Sequence, residues 1–230
     1  MNSVLEDSIF FGLTLSFLSY FLGDFLQKKF KSQIFNPLLI SIVISISVLT
    51  IFNIDYDSYY NGAKYISYLL TPATVALAIP LYEQLNTLKK NYKAIIAGIL
   101  SGVLTSLSFV LVMALIFNFS HAEYVTFLPK SISTAIGMDV SSELGGYVSV
   151  TVAIIVITGI IGNVAGSGIL KIFRITSPIA KGIALGTSSH AMGTAKAMEL
   201  GEVEGAISSL SIVVAGIITV IGASIFAGFM

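Results

Sequence analysis

The sequence predicts an all-α integral membrane protein with about seven transmembrane helices, one re-entrant segment, and inverted repeats that contain discontinuous helices. Hydrophobic residues occupy 55% of the 230 positions and charged residues only 10%, whereas soluble domains carry roughly 25% charge. A membrane-spanning helix needs about 20 mostly apolar residues. Seven stretches meet that length, and they cover residues 8–27, 35–54, 62–83, 94–118, 147–170, 179–199 and 206–229.

The positions of lysine and arginine predict how the chain is oriented in the membrane. Most cations fall into three loops, which the positive-inside rule assigns to the cytoplasm: Lys28, Lys29, Lys31, Lys89, Lys90, Lys93, Lys171, Arg174 and Lys181. The other connections carry acidic residues such as Glu123, Glu202 and Glu204 and are assigned to the outside. This pattern predicts a multi-pass protein with the N-terminus outside and the C-terminus inside.

Residues 124–143 are too polar and too interrupted for a helix that faces lipid. Pro129, Gly137, Gly145 and Gly146 break the segment or follow it closely, and the predicted topology requires both of its ends to lie outside. Irregular backbone at membrane depth is tolerated where protein or a water-filled cavity satisfies its polar groups. We therefore predict a re-entrant segment, and the alternative is an outer loop that lies at the interface.

Residues 70–83 can be superimposed on residues 186–199, which suggests an internal repeat. Each segment opens with small hydroxyl-bearing residues and has a helix-weakening residue in mid-span, Pro80 in the first and Gly193 in the second. The third span runs inward and the sixth outward, so spans two to four and five to seven form inverted repeats. Residues 1–230 are expected to form a single transmembrane domain, with a first half over 8–118 and a second over 124–230.

Inverted repeats with broken helices are typical of transporters, whose substrate site lies near the midplane. Half-helix N-termini there present free N–H groups, and these attract anions. Residues suited to start such half-helices occur at mirrored positions: Thr71, Pro72 and Thr74, and Thr187, Ser188 and Ser189. The alternative is that these small residues allow helices to pack closely in lipid.

Charged groups within the membrane are costly and therefore suggest function. Lys130 and Lys196 could each complement a substrate carboxylate, although Lys196 could instead pair with Glu199 or Glu143. His190 suits reversible protonation because the reference pKa of histidine is about 6.5. Its alternative role is a neutral packing histidine bonded to a hydroxyl.

The sequence lacks the residues that several functional classes require. The chain has no Cys and two His, so neither a thiolate site nor a zinc cage of histidines is expected. The motifs of metalloproteases, serine hydrolases and phosphate-binding loops are missing from the sequence. With a net charge of zero there is also no basic surface for nucleic acid. We expect no enzymatic activity, metal or cofactor.

Residues 71–84, 128–146 and 177–210 resemble the LrgB/CidB family. That resemblance implies a protein of the bacterial cytoplasmic membrane that partners a small LrgA- or CidA-like membrane protein and influences murein hydrolase activity and autolysis. The family is also similar to the C-terminal half of the plastid glycolate/glycerate carrier, which implies a small monocarboxylate substrate such as pyruvate, glycolate or lactate.

The motif positions give the predicted substrate-binding set: Thr71, Pro72, Thr74, Lys130, Ser131, Thr134, Thr187, Ser188, Ser189, His190, Gly193, Thr194 and Lys196. The leading prediction is a monocarboxylate carrier that is proton-coupled through His190 and linked to the control of autolysis. The alternative is a holin- or antiholin-like regulator of murein hydrolase export that has no transport substrate. Association of the chain with further copies of itself is compatible with either role.

Overall fold

The structure is a computed structural model that describes residues 9–30, 35–76 and 78–230, and the regular elements in these ranges are helices. They are α1 (Ile9–Phe30), α2 (Pro37–Ile51), α3 (Tyr56–Ser67), α4 (Leu70–Ala76), α5 (Ala78–Glu83), α6 (Leu85–Phe117), α7 (His121–Phe127), α8 (Thr134–Glu143), α9 (Val148–Ile172), α10 (Pro178–Leu200) and α11 (Glu202–Ala227). The all-α prediction is confirmed. Within the described ranges four helices, α1, α6, α9 and α11, are long and apolar enough to cross a membrane, and α2 is apolar but shorter.

The chain divides into two compact units, one ending at Ala76 and the other comprising the helices from α5 onward. In the first unit α1 packs against α2 and α3. Asn36 starts α2, because its Oδ1 accepts hydrogen bonds from the backbone N–H groups of Leu38 and Leu39 at 3.0 and 3.2 Å. The hydroxyls of Ser16 and Tyr59 are 2.8 Å apart and link α1 to α3.

The predicted third span, residues 62–83, is divided between α3, α4 and α5. Pro80 lies in the first turn of α5, where a missing N–H costs nothing because the first turn has no internal acceptors for its N–H groups. The structure therefore has separate short helices where the sequence predicted one interrupted helix. Residue 77, which stands between α4 and α5, lies outside the described residues.

The second unit is organised by the long helices α6, α9 and α11. Apolar side chains recur every three or four residues along α6 and form one buried stripe: Ile95, Ile99, Val103, Leu107, Val110 and Ala114. This stripe belongs to a core that also includes Ile207, Ala215 and Ala223 of α11. Such packing fixes α6 against α11, whereas other apolar side chains of α6, such as Ile96 and Leu115, are exposed.

Between α6 and α9 the chain forms a first helical hairpin, α7 and α8, which turns at residues 128–133. Ser120 and Glu123 form a capping box at the start of α7. The backbone N–H and hydroxyl of Ser120 donate to the Glu123 carboxylate and lower its pKa. After α8 the chain returns to α7, because the N–H of Tyr147 donates to Thr126 Oγ1 at 2.8 Å. The predicted re-entrant segment is thus a hairpin in the protein.

Between α9 and α11 a second hairpin is formed by α10 alone. Its helical geometry breaks at Ser189 (φ −138°, ψ 17°) and His190 (φ 44°, ψ −134°). The helix was predicted to break at Gly193, and that position is wrong. Gly193 instead lies where the two arms touch, because a Cβ there would collide with the carbonyl oxygen of Leu185.

Contacts with α11 show that the arms of α10, residues 178–188 and 191–200, run in opposite directions. A Cβ on Gly182 of the first arm would lie 2.6 Å from the carbonyl of Glu204, and one on Gly205 would lie 2.9 Å from Met198 of the second arm. Both ends of α10 therefore lie beside the first turn of α11. The predicted sixth span, residues 179–199, is a hairpin and not a crossing.

This hairpin also overturns part of the predicted topology. Lys181, predicted inside, lies 3.6 Å from the carboxylate of Glu204, predicted outside. At the other end of α11 the backbone oxygen of Met230 is 2.7 Å from Nδ1 of His121. The C-terminal residue thus lies beside the first hairpin, at the end of α11 opposite to Lys181, whereas the predicted topology placed both on the cytoplasmic side.

Candidate functional site

The turns of the two hairpins meet beside the middle of α6 and line an open cavity of about 360 Å³. We call it the Lys130 cavity. Its lining residues come from α6, from the turn of the first hairpin and from the tip of the second: Ser101, Gly102, Thr105, Ser106, Phe109, Lys130, Ser131, Thr187 and Ser188. Four members of the predicted substrate-binding set, Lys130, Ser131, Thr187 and Ser188, are thereby brought together.

Lys130 supplies the charge of this cavity. Its Nζ donates to Ser131 Oγ at 3.1 Å, and that hydroxyl is hydrogen-bonded to Ser106 Oγ at 3.2 Å. Within the part of the chain that the structure describes, Lys130 has no carboxylate partner and no other charged side chain lines the cavity. A part-buried cation without a counter-ion is unfavourable. The cavity therefore has the chemistry to bind a small anion through one ammonium and several hydroxyl groups.

The contribution of α6 was missed from the sequence. Ser101 and Gly102 are followed four residues later by Thr105 and Ser106, a spacing that places both pairs on one face of a helix. That pair of small polar dipeptides in an otherwise apolar span was the available signal. A Cβ on Gly102 would lie 2.9 Å from Thr187 Oγ1, so this glycine allows the tip of the second hairpin to approach α6.

Two further cavities continue the Lys130 cavity along α6. One, of about 590 Å³, extends toward Asn91 and Ser177 and shares Ser101, Gly102 and Thr187 with it. The other, of about 340 Å³, extends toward Phe117 and shares Phe109 and Lys130. Its lining is apolar and aromatic, apart from Lys130 and Thr158. The charged position thus lies where a partly polar cavity meets an apolar one.

His190 is buried at the tip of the second hairpin but does not line the Lys130 cavity. Its Nε2 is 3.0 Å from the backbone oxygen of Ile155, so Nε2 carries the hydrogen in that bond. The imidazole packs against Gly159, where a Cβ would lie 2.6 Å from Cε1. The packing alternative predicted a hydroxyl partner, and the partner is a carbonyl. The proton-coupling role of His190 stays a prediction.

Three other predicted residues pack within the second hairpin. The hydroxyl of Ser189 is 2.9 Å from that of Ser188, and Thr194 Oγ1 is 2.7 Å from Ser208 Oγ of α11. Lys196 Nζ lies 2.7 Å from the Glu199 carboxylate. The alternative pairing of Lys196 with Glu199 is therefore confirmed, and the structure does not bring Lys196 into the Lys130 cavity.

The remaining predicted residues lie apart from this group. Thr134 is the first residue of α8 and follows Ser133, the N-cap. Thr71, Pro72 and Thr74 lie on α4 of the first unit. The sequence-derived set is thus divided between the Lys130 cavity, the second hairpin, the start of α8 and a different compact unit.

Comparison with known proteins identifies the family. Residues 16–229 match the model of the LrgB-like family. The antiholin-like protein LrgB of Bacillus subtilis (strain 168) is 38% identical over 95% of both chains, and that of Bacillus cereus (strain B4264) is 37% identical over 96% of both. No solved structure matches the chain. The family model and both relatives cover nearly the whole chain, so the chain belongs to the LrgB-like family.

Proposed function

We propose that this protein is a carrier of small monocarboxylate anions, of the size of pyruvate, glycolate or lactate, in the bacterial cytoplasmic membrane. The observation that carries the proposal is Lys130, a part-buried cation that has no carboxylate partner among the described residues and lines a hydroxyl-rich cavity. One ammonium complements one carboxylate, while Ser131, Thr187 and Ser188 offer hydroxyls to a 2-oxo or 2-hydroxy group.

The two hairpins support a transport role. They approach the Lys130 cavity from opposite ends of the second unit, so each would re-enter the bilayer from one side, with its polar turn covered by protein. A binding site near the midplane between discontinuous helices is the arrangement found in many secondary transporters. By the positive-inside rule the end that holds Lys89, Lys171 and Lys181 faces the cytoplasm. The C-terminal residue would then face outside.

Proton coupling through His190 forms part of this proposal. His190 sits at the hairpin tip, two residues after Ser188 of the cavity. Its hydrogen bond to the Ile155 carbonyl joins the tip to α9. Protonation of the other ring nitrogen would change the charge at the tip without breaking that bond, because Nε2 stays a donor in both forms.

Membership of the LrgB-like family indicates a physiological role for this solute transport. We infer that the carrier works with a small LrgA- or CidA-like membrane protein and that solute flux influences murein hydrolase activity and autolysis. A second candidate is favoured by the antiholin-like name of the relatives. In that role the protein would regulate murein hydrolases without a transport substrate, as an oligomer or with its partner.

The decisive experiment measures uptake of labelled pyruvate, glycolate and lactate into proteoliposomes, with and without the LrgA-like partner and an imposed pH gradient. We expect saturable uptake that Lys130→Gln weakens by about 10- to 100-fold in half-saturating concentration, because a hydrogen bond to a charged group contributes about 1.5–3 kcal/mol. Lys130→Arg should retain most of the affinity.

Two comparisons make this test specific. Lys90→Gln removes an exposed cation of α6 that does not line the cavity and should leave uptake unchanged. If Lys196→Gln abolishes saturable uptake while Lys130→Gln does not, the substrate site is not the Lys130 cavity. If folded protein takes up none of the three anions with its partner present, the regulator becomes the better conclusion.

A further inference from the structure

A further cavity, which shares no lining residue with the Lys130 cavity, lies where α9 meets the second hairpin. It measures about 420 Å³ and is lined by the last turns of α9, the connection to α10 and the two ends of α10: Ser167, Leu170, Lys171, Arg174, Ile175, Thr176, Lys181 and Leu200. We call it the Arg174 cavity. Three of these residues are cations, and none of the three belongs to the proposed substrate site.

The charge of the Arg174 cavity is only partly balanced. Glu204 lies 3.6 Å from Lys181. Among the described residues neither Lys171 nor Arg174 forms a salt bridge. The helix dipole of α9 favours cations near its end, which explains Lys171. The dipole of α10 disfavours Lys181, which lies in the first turn of that helix. The three cations of the cavity thus face one carboxylate, and the remaining positive charge is suited to an anion.

Arg174 itself occupies a position that normally favours glycine. Its φ is 54°, and the N–H of Ile175 closes the end of α9 by donating to the Leu170 carbonyl at 2.8 Å. This is the left-handed cap geometry in which glycine is the usual residue. An arginine is strained there, so a side-chain function is the reason we infer for its presence.

Hydroxyl groups and apolar neighbours complete the cavity. The buried Oγ of Ser167 has no hydrogen-bond partner among the residues that the structure describes, and Thr176 adds a second hydroxyl. Directly before Arg174, Ile172 and Phe173 are 76% and 72% exposed. Cations and hydroxyls beside exposed apolar side chains suit a molecule that joins a phosphate to hydrocarbon.

We propose that the Arg174 cavity binds the phosphate of an anionic phospholipid headgroup on the cytoplasmic side, with the acyl chains lying over Ile172 and Phe173. Basic pockets between membrane helices on that side bind such headgroups in other proteins. The lipid would join the end of α9 to both ends of the second hairpin and so hold the hairpin in place.

The test uses the full chain in nanodiscs of phosphatidylcholine with increasing phosphatidylglycerol, and measures thermal unfolding. The wild type should gain melting temperature as phosphatidylglycerol increases, because a ligand of the folded state stabilises it. Lys171→Gln and Arg174→Gln should each raise the half-maximal lipid fraction by about fivefold. Lys89→Gln, which removes an exposed cation of α6 outside this cavity, should not.

Arg174→Gly separates lipid binding from folding. Glycine relieves the left-handed strain, so this variant should be at least as stable as the wild type in pure phosphatidylcholine and should still lose the response to phosphatidylglycerol. An equal response in all variants, or an undiminished response in Arg174→Gly, would overturn the proposal. Equal stabilisation by inorganic phosphate in pure phosphatidylcholine would overturn the lipid as the source of the phosphate.

Discussion

The fold of α10 makes a prediction about topology that single-cysteine labelling can check. The chain contains no cysteine, so Ser177→Cys, Glu202→Cys and Phe229→Cys each introduce one unique thiol. The first two positions flank α10, and the third lies near the end of the chain beyond α11. All three side chains are exposed, so a thiol there should react without disturbing the packing.

The length of α10 gives two distinguishable outcomes. As one straight helix its 23 residues would extend about 35 Å, enough to cross the hydrocarbon core of about 30 Å. Residues 177 and 202 would then lie on opposite sides. As a hairpin, each arm of about 11 residues extends only about 16 Å, which reaches the middle of the bilayer and returns.

The assay is labelling by a membrane-impermeant maleimide in right-side-out and inverted vesicles. We expect Ser177→Cys and Glu202→Cys to react in inverted vesicles, because both lie at the lysine-rich end. Phe229→Cys should react in right-side-out vesicles. Detergent-solubilised protein, in which all three thiols should react, controls for local burial. Labelling of residues 177 and 202 from opposite sides would refute the hairpin and restore the predicted sixth span.

Two further predictions test the tip of this hairpin. Gly162→Ala should destabilise the protein by about 1–3 kcal/mol, because the added Cβ would collide with the side chain of Ser189. Thermal unfolding of the single and double variants measures this effect. Adding Ser189→Gly to Gly162→Ala should recover at least half of the lost stability. Purely additive effects would contradict that contact. His190→Gln should flatten the pH dependence of uptake in the proteoliposome assay, whereas His121→Gln, which alters the exposed histidine of α7, should preserve it. An unchanged pH profile in His190→Gln would remove the coupling role.

Part of the candidate site could be predicted because its residues break the rules of a lipid-facing helix. Lys130 and the run of Thr187 and Ser188 are polar residues in segments with an apolar setting, and such residues cost free energy unless a protein cavity receives them. Both groups line the Lys130 cavity. The same reasoning selected Lys196, whose charge is matched locally by Glu199. Polarity identified candidates but not the partner of each charge.

The polar residues of α6 line the cavity but were not selected from the sequence. Ser101, Thr105 and Ser106 lie in a helix that reads as an ordinary span, and a hydroxyl in such a helix commonly bonds to its own backbone. Ser101 does so, through the carbonyl of Gly98 at 2.9 Å. Which face of α6 meets the two hairpins depends on packing partners that are distant in sequence, and no local pattern specifies them.

The sequence by itself determined that this is a helical membrane protein and which end of each long helix carries cations, because hydropathy and charge act locally along the chain. Its motifs also identified the family. The tertiary structure decided whether an apolar segment crosses the membrane or turns back. α10 has the length of a span, but the backbone at Ser189 and His190 reverses it. Gly182, Gly186 and Gly193 then let its arms pack against α11 and against each other. That choice depends on close contacts between distant residues, and it is what brings Thr187 and Ser188 to Lys130.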